Sequence, residues 1–229
     1  MLRSDVLDTF VFKNKKIYLK KYHIERSFEA YQFLFSDFPL EKFQQVYDRL
    51  ELELKSTVGE EQMVRLFFSE KEKGRNSYEI QNKVLLGDPV RLEIIASKMN
   101  PAGRGPQNFK WTDRDEWVAL LKSKSADADD VIALNSLEQL TETSRFNLFF
   151  YNSASDLVFT PTLDSGCVNG VYRRYALSEK SIDLPTLGKK DLVEKDISVA
   201  ELESAPHIYS LFVANSARGV LKACLTTKN

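Results

Sequence analysis

Two stretches in the second half of the chain decide its fold. Residues 141–149 have the sequence Thr-Glu-Thr-Ser-Arg-Phe-Asn-Leu-Phe, and residues 160–173 have the sequence Thr-Pro-Thr-Leu-Asp-Ser-Gly-Cys-Val-Asn-Gly-Val-Tyr-Arg. The first stretch places Glu142 in a polar segment, which predicts a turn between two strands. The second places Gly166 and Gly170 at the start of a predicted helix, where free backbone N–H groups bind phosphate. The alternatives are a solvated turn acid and an ordinary glycine-containing loop.

One lysine stands about thirty residues before the first stretch. Lys110 lies between Phe109 and Trp111, directly after a segment rich in Gly and Pro. Desolvation between two aromatic rings would favour the neutral, nucleophilic amine. The alternative is a solvated lysine on the surface, which is the more common case for this residue type.

Two other segments carry groups that could meet an anion. His23 and Arg26 lie one turn apart on a predicted helix, and Arg26 could bind a phosphate or simply be charged surface. Residues 215–219, Asn-Ser-Ala-Arg-Gly, join two apolar strands and could offer a hydroxyl and a guanidinium to an anion. The alternative for this segment is a hairpin turn that needs glycine.

Composition excludes several classes of function. The 229 residues include 32 basic and 33 acidic side chains, so no basic excess exists to neutralise a nucleic-acid backbone. Two Cys and two His, widely spaced, make neither a disulfide framework nor a zinc site and favour the cytoplasm. No apolar run approaches about 18 residues, and the N-terminus lacks a signal peptide, so we expect no contact with a membrane.

Apolar patterning predicts two α+β halves. No Gly-x-Gly-x-x-Gly motif follows a predicted strand, which disfavours a Rossmann fold. The apolar stripe of the second predicted helix includes Phe43, Tyr47 and Leu50. We predict strands at residues 6–12, 17–19, 63–69, 77–83, 90–97, 131–134, 146–151, 157–160, 208–214 and 220–225, and helices at 22–35, from 39, from 112–113, from 170 and at 199–202.

The run at residues 100–106, Asn-Pro-Ala-Gly-Arg-Gly-Pro, is the best candidate for a linker. We therefore predict an N-terminal α+β domain at residues 1–99, a linker at 100–107 and a C-terminal α+β domain at 108–229 that carries Lys110. Hairpin turns are predicted at residues 13–16, 72–76 and 215–219.

The order and spacing of Lys110 and the two stretches resemble the class IV aminotransferase family, also called pyridoxal-phosphate (PLP) fold type IV. That family includes branched-chain and D-amino-acid aminotransferases and aminodeoxychorismate lyase. The resemblance runs over nearly the whole chain and implies a two-domain α+β fold like that of D-amino-acid aminotransferase. Relatives begin with a further strand and a Gly-Asp-Gly segment, whereas only eight residues precede Thr9. We therefore expect a shortened N-terminal domain.

The resemblance also implies a role for individual residues. Lys110 would form the Schiff base with PLP and move protons, and Glu142 would bind the pyridine nitrogen. Arg26, in a segment similar to the family's His-x-x-Arg, would bind the phosphate. The remaining cofactor contacts implied are Ser144, Arg145, Asn147, the backbone N–H groups of Val171 and Tyr172, and Ser216.

Within the family, two segments resemble aminodeoxychorismate lyase. Residues 110–114, Lys-Trp-Thr-Asp-Arg, are similar to the lyase's Lys-x-x-x-Arg pattern, and residues 215–219 are similar to its Asn-Ser-x-Arg-Gly loop. Thr9 aligns with the threonine proposed as the lyase's proton donor, and Arg114 and Arg218 would bind substrate carboxylates. The implied activity is the release of 4-aminobenzoate and pyruvate in the folate pathway. The resemblance also implies that the enzyme is a homodimer.

Two alternatives stay open. The first is an aminotransferase acting on branched-chain or D-amino acids through the same Lys110 and Glu142. The second is a non-catalytic relative kept for binding or structure, which the expected shortening of the N-terminal domain suggests and the presence of Lys110, Arg26 and Glu142 opposes.

Overall fold

The structure is a computed structural model of the chain. It describes residues 5–35, 39–56, 61–69, 76–82, 86–100 and 102–226, without the side chains of 34, 35 and 96–100. Within these residues no helix is long and apolar enough to cross a membrane. The chain divides into two compact units, residues 1–84 with 109–113 and residues 85–108 with 114–229.

The described residues of the first unit form a four-stranded antiparallel sheet and two helices. Its sheet order is β2-β1-β3-β4. Phe10, Phe43, Tyr47, Leu50 and Leu66 form part of its core and are almost wholly removed from solvent. The elements are β1 (Val6–Lys13), β2 (Lys16–Ile17), α1 (Lys20–Phe35), α2 (Leu40–Ser56), β3 (Glu61–Phe68) and β4 (Asn76–Gln81).

The predicted hairpin at the start of the chain is confirmed. β1 and β2 pair antiparallel, and Asn14 and Lys15 between them have φ of 52° and 60°. Two successive positive φ angles are typical of the tight turns whose twist matches paired strands. Residues 72–75 of the second predicted turn lie outside the described residues.

The second unit contains a nine-stranded sheet. Its order is β10-β11-β9-β8-β12-β13-β5-β6-β7, and an additional pairing of β7 with β8 closes six of these strands into a ring. The strands are β5 (Val90–Asn100), β6 (Asp130–Asn135), β7 (Leu140–Thr143), β8 (Asn147–Asn152), β9 (Leu157–Thr160), β10 (Ser181–Leu184), β11 (Gly188–Glu194), β12 (Tyr209–Asn215) and β13 (Gly219–Leu225). The helices are α3 (Asp115–Ser123), α4 (Val171–Ser178) and α5 (Val199–Ser204).

One prediction for the second unit is wrong. Residues 140–143 form the buried strand β7 and not a turn, because their backbone completes the ring of strands. Strand β7 therefore lies between the strands at 130–135 and 147–152. Strands β10 and β11, an antiparallel pair at the edge of the sheet, were not predicted.

The helix predicted from residues 112–113 begins at Asp115 instead. Thr112 is bonded to Asp5 instead, since its N–H donates to the Asp5 carbonyl at 3.0 Å and its Oγ1 accepts from the Asp5 N–H at 2.9 Å. The predicted α+β class is confirmed by the helices and strands of both units. The predicted division into domains at residues 1–99 and 108–229, with a linker at 100–107, stays a prediction.

Candidate active site

Strand β1 holds the backbone of Lys110 in the first unit. The Leu7 N–H donates to the Lys110 carbonyl at 3.0 Å, and Val6 forms an antiparallel bridge with Trp111. The side chain is half-buried, and its Nζ donates to Thr9 Oγ1 at 3.2 Å. The structure therefore brings together the two residues to which the sequence analysis assigned proton transfer.

A buried polar cluster surrounds the carboxylate of Asp8, the residue before Thr9. Asp8 is 0% exposed and accepts the Thr9 N–H through Oδ1 at 2.9 Å. His23 Nδ1 lies 2.9 Å from both carboxylate oxygens, and Tyr47 donates its hydroxyl to Oδ2 at 2.6 Å. Ser27 extends the cluster, with its Oγ 2.9 Å from the Tyr47 hydroxyl.

Burial and neighbouring charges shift the pKa values of three residues in this cluster. Burial alone would raise the pKa of Asp8, but neighbouring His23 and Arg26 and the hydrogen bonds from His23 and Tyr47 hold that pKa well below its usual range. Burial lowers the pKa of His23, and the charges of Arg26 and Lys110 lower it further against the opposing effect of Asp8. Burial and the charge of Asp8 raise the pKa of Tyr47, so it remains a hydroxyl donor.

Arg26 is buried in the same cluster. Its Nη2 donates to Asp8 Oδ1, so the alternative of a charged helix surface is wrong for Arg26. A guanidinium has five N–H donors, and this ion pair leaves donors for a second acceptor. The phosphate contact of Arg26 stays a prediction.

In the second unit, Glu142 lies at the point where the ring of strands closes. It is 6% exposed, and its backbone pairs with Asn147 of β8. The carboxylate is therefore not the solvated turn acid of the alternative interpretation. Asn147 in turn donates its Nδ2 to the Val168 carbonyl at 2.8 Å, which joins the strand closure to the segment before α4.

The N-terminus of α4 lies beside that asparagine. Gly170 caps the helix, and a Cβ at this position would come within 2.0 Å of Asn147 Oδ1. The helix therefore approaches the strand as closely as glycine allows. Val171 and Tyr172 begin the helix as predicted, and N–H groups of a first helical turn have no acceptor within the helix.

The turn between β7 and β8 presents the next predicted residues. Thr143 Oγ1 accepts the N–H groups of Arg145 and Phe146, at 3.2 and 3.0 Å, which shapes the turn. Ser144 is buried, and its Oγ has no hydrogen-bond partner among the described residues. Arg114 donates its Nη2 to the Ser144 carbonyl. This polar turn is therefore built around a buried hydroxyl that a ligand could engage.

The turn at residues 215–219 is braced against it. Asn215 Nδ2 donates to the Arg145 carbonyl at 3.0 Å, and its Oδ1 accepts the Arg218 N–H at 2.8 Å. The Arg218 guanidinium lies over the Phe146 ring, 5.8 Å from its centroid, and burial together with the charge of Arg145 lowers its pKa. Ser216 is buried in the same turn, so the predicted hairpin turn carries both side chains as expected.

A family model described as amino-transferase class IV matches residues 5–225. The chain belongs to the class IV aminotransferase family. Members of this family are PLP-dependent enzymes, which confirms the predicted family, enzyme class and cofactor.

Solved structures similar to this family member share its fold at low identity. A "Putative amino-acid aminotransferase" from Mesorhizobium loti is 21% identical, with a TM-score of 0.78, over 98% of this chain and 100% of its own. A 4-amino-4-deoxychorismate lyase from Pseudomonas aeruginosa is 18% identical, with a TM-score of 0.70, over 98% and 86%. A PLP-bound hypothetical aminotransferase from Mycobacterium tuberculosis is 14% identical, with a TM-score of 0.72, over 96% and 81%.

The residues of this class IV member fit PLP. The cofactor needs a lysine amine for its aldehyde, an anion for its pyridine nitrogen and donors for its phosphate. Lys110 and the buried Glu142 have the chemistry for the first two, and the α4 N-terminus offers first-turn N–H groups. The unpartnered Ser144 Oγ and the close approach at Gly170 are both consistent with a site built for a ligand.

The sequence analysis gave no role to Asp8, Tyr47 or Ser27. Asp8 had a detectable signal, since it is a charged residue inside a strand whose other residues are mostly apolar. Tyr47 was predicted only as part of an apolar stripe, and its burial is confirmed while its hydroxyl contact was missed.

Proposed function

We propose that this class IV enzyme is a lyase that converts 4-amino-4-deoxychorismate to 4-aminobenzoate and pyruvate. The observation that carries the proposal is the hydrogen bond from Lys110 Nζ to Thr9 Oγ1, at 3.2 Å. It joins an amine that can take up a proton to a hydroxyl that can give one up. A lyase needs both groups, because one proton leaves the substrate and another must be added to its leaving group.

The atoms of the reaction balance within the substrate. The carbon–oxygen bond between the ring and the enolpyruvyl group breaks, the amine-bearing ring carbon loses a proton, and the methylene of the leaving group gains one. When bound, PLP would supply a positively charged ring that accepts the electron pair left on the substrate carbon. Lys110 and Glu142 are the residues that would hold it.

We assign the proton transfers of this reaction to two residues of the first unit. Lys110 Nζ would remove the proton from the ring carbon, and Thr9 Oγ1 would donate its proton to the leaving group. Thr9 would then recover a proton from the ammonium of Lys110 across their hydrogen bond. In a transaminase no leaving group needs that proton, so the threonine hydroxyl has no corresponding task.

Arginine side chains suit a substrate that carries two carboxylates. Arg114 and Arg218 are our candidates, since a guanidinium binds a carboxylate through two parallel hydrogen bonds. The family likeness also supports a homodimer in the cytoplasm, and both remain proposals that sedimentation and cell fractionation would test.

The test compares two reactions in the wild type and in Thr9 variants. Wild-type protein loaded with PLP should release pyruvate and 4-aminobenzoate from aminodeoxychorismate, and should convert PLP to its pyridoxamine form only slowly with branched-chain or D-amino acids. Thr9→Val should lower the lyase rate by about 10²-fold or more, the usual contribution of a positioned acid. Thr9→Ser, which keeps the hydroxyl, is the matched control and should retain most of the rate.

An amino-acid half-reaction that is fast in both the wild type and Thr9→Val, without pyruvate release, would replace the lyase with the aminotransferase alternative. A colourless protein after addition of PLP would instead favour a non-catalytic relative.

A further inference from the structure

Strand β1 connects Lys110 to the two helices of the first unit through consecutive residues. Leu7 holds the Lys110 carbonyl, Asp8 binds side chains of α1 and α2, and Thr9 contacts the Lys110 amine. Successive side chains of a strand point to opposite faces of the sheet. Asp8 and Thr9 are adjacent in one strand and therefore contact different partners.

The hydrogen bond from the Thr9 N–H to Asp8 Oδ1, at 2.9 Å, links the two directly. The same oxygen accepts from His23 Nδ1 and from Arg26 Nη2, while Oδ2 accepts from Tyr47. A carboxylate with that many fixed donors has one orientation, and it transmits that orientation to the peptide group of Thr9.

We propose that Asp8 is a positioning residue, which holds the Thr9 hydroxyl in register with the Lys110 amine through the cluster that it forms with His23, Arg26 and Tyr47. The inference rests on the proposed function only in assigning proton donation to Thr9. The inference adds Asp8 and its cluster, which do not contact the reacting atoms. These residues set the distance between the Thr9 hydroxyl and the Lys110 amine.

The charge of Asp8 makes this arrangement specific. A buried carboxylate is costly unless its oxygens are all satisfied, so the cluster is stable in one geometry and unfavourable in partly bonded ones. Amide replacement would remove the counter-charge of Arg26 and turn an N–H group toward the donors that now face the carboxylate. The amide oxygen could still accept the Thr9 N–H, but the charge-assisted hydrogen bonds that fix the orientation of the group would be lost.

His23 shows how closely the cluster is specified. Burial lowers its pKa, and its Nδ1 lies 2.9 Å from both carboxylate oxygens, a position that favours the tautomer with the proton on Nδ1. Its Nε2 is buried and has no hydrogen-bond partner among the described residues. The ring is thus held by Asp8 on one side and by edge contact with Phe10, 5.7 Å between ring centroids, on another.

The test is a double-mutant cycle between Asp8→Asn and Thr9→Ala, with two readouts. The first is kcat of the PLP-loaded enzyme. The second is the rate at which apoprotein captures PLP on Lys110, measured as label fixed by borohydride on the peptide that contains this lysine. Asp8→Asn should lower kcat by about 10–100-fold, the effect of displacing a reacting group by about 1 Å.

If Asp8 acts through Thr9, the Asp8→Asn change should cost less than about 2-fold in either readout once Thr9 is alanine. Asp8→Glu, which keeps the charge, should retain more activity than Asp8→Asn. A second variant, Tyr47→Phe, removes one donor and should lower kcat by about 3–10-fold. Its control is Tyr31→Phe, a buried tyrosine of the same core that packs against Phe43.

The outcomes separate positioning from stability. The proposal would be overturned if Asp8→Asn lowered the free energy of unfolding in urea but left kcat and the rate of PLP capture unchanged. It would also be overturned if Asp8→Asn lowered kcat and capture as much in the Thr9→Ala background as in the wild type. If Asp8→Asn does not fold, Tyr47→Phe decides, and equal kcat and capture rates in Tyr47→Phe and Tyr31→Phe would overturn it. A wild type inactive on aminodeoxychorismate would refute the proposed function, while the capture cycle would still judge the role of Asp8.

Discussion

Replacing Gly170 with alanine should destabilise the second unit where the N-terminus of α4 meets Asn147. Gly170 has φ of −65° and ψ of 150°, which any residue adopts, so backbone strain gives no reason for glycine here. The reason is steric, since an added Cβ would lie 2.0 Å from Asn147 Oδ1. That oxygen belongs to a buried side chain whose Nδ2 donates to the Val168 carbonyl.

The size of the effect follows from these contacts. Real Cβ contacts are essentially never shorter than 3.0 Å, so the asparagine oxygen or the helix must move by about 1 Å. Movement of the side chain gives up its hydrogen bond, which costs about 1 kcal/mol, and crowding of a packed site costs about 1–3 kcal/mol. We therefore expect Gly170→Ala to lower the free energy of unfolding by about 2–4 kcal/mol.

Urea unfolding of the apoprotein and PLP titration measure the two consequences. Displacing the α4 N-terminus should also weaken PLP binding by about 10-fold or more, since a shift of about 1 Å misplaces its N–H groups. Asn147→Ala in the same chain removes the clash, so the double variant should be more stable than the sum of the two single effects. Gly87→Ala, whose nearest contacts would be 3.1 and 3.2 Å, is the milder control. A Gly170→Ala protein with wild-type stability and PLP affinity would refute the steric argument.

Three other changes test the remaining assignments. Lys110→Ala should abolish turnover and the visible absorbance of bound PLP while leaving the free energy of unfolding of the apoprotein within about 0.5 kcal/mol of wild type, and activity in this variant would refute the assignment. Glu142→Gln keeps the shape but removes the negative charge, so kcat should fall by about 10²-fold, and an unchanged kcat would exclude contact with the pyridine nitrogen. Because the folded-state pKa of His23 is lowered, its stabilising effect is complete above the ordinary histidine pKa and is lost as pH falls toward the folded value, by at most about 1.4 kcal/mol per pH unit. The free energy of unfolding should therefore fall between pH 7 and 5, with a smaller fall in His23→Gln, and equal slopes would contradict this origin.

The family and most elements could be predicted because they depend on local pattern and on motif order. Residues 170–173 start a helix, residues 215–219 make a hairpin turn, and the first strand pair closes over a polar turn, each as predicted. These features are set by glycine, by polar turn residues and by apolar spacing, all of which lie within a few residues of each other.

Features that depend on distant partners could not be predicted. The residues of β7 are mostly polar, so they lack the apolar signal of a strand, and only pairing with β6 and β8 makes them one. The cluster around Asp8 joins positions that are 15, 18 and 39 residues away in the chain. A charged residue in the interior of β1 indicates that a partner exists, but a sequence alone does not name it.

Borohydride reduction of the PLP-loaded protein, followed by mass spectrometry of its peptides, identifies the lysine that holds the cofactor. Reduction fixes the cofactor on whichever lysine holds it. We expect one phosphopyridoxyl group per chain, on the peptide that contains Lys110, and none in Lys110→Ala. A label on a different lysine, or no label at saturating PLP, would contradict this expectation.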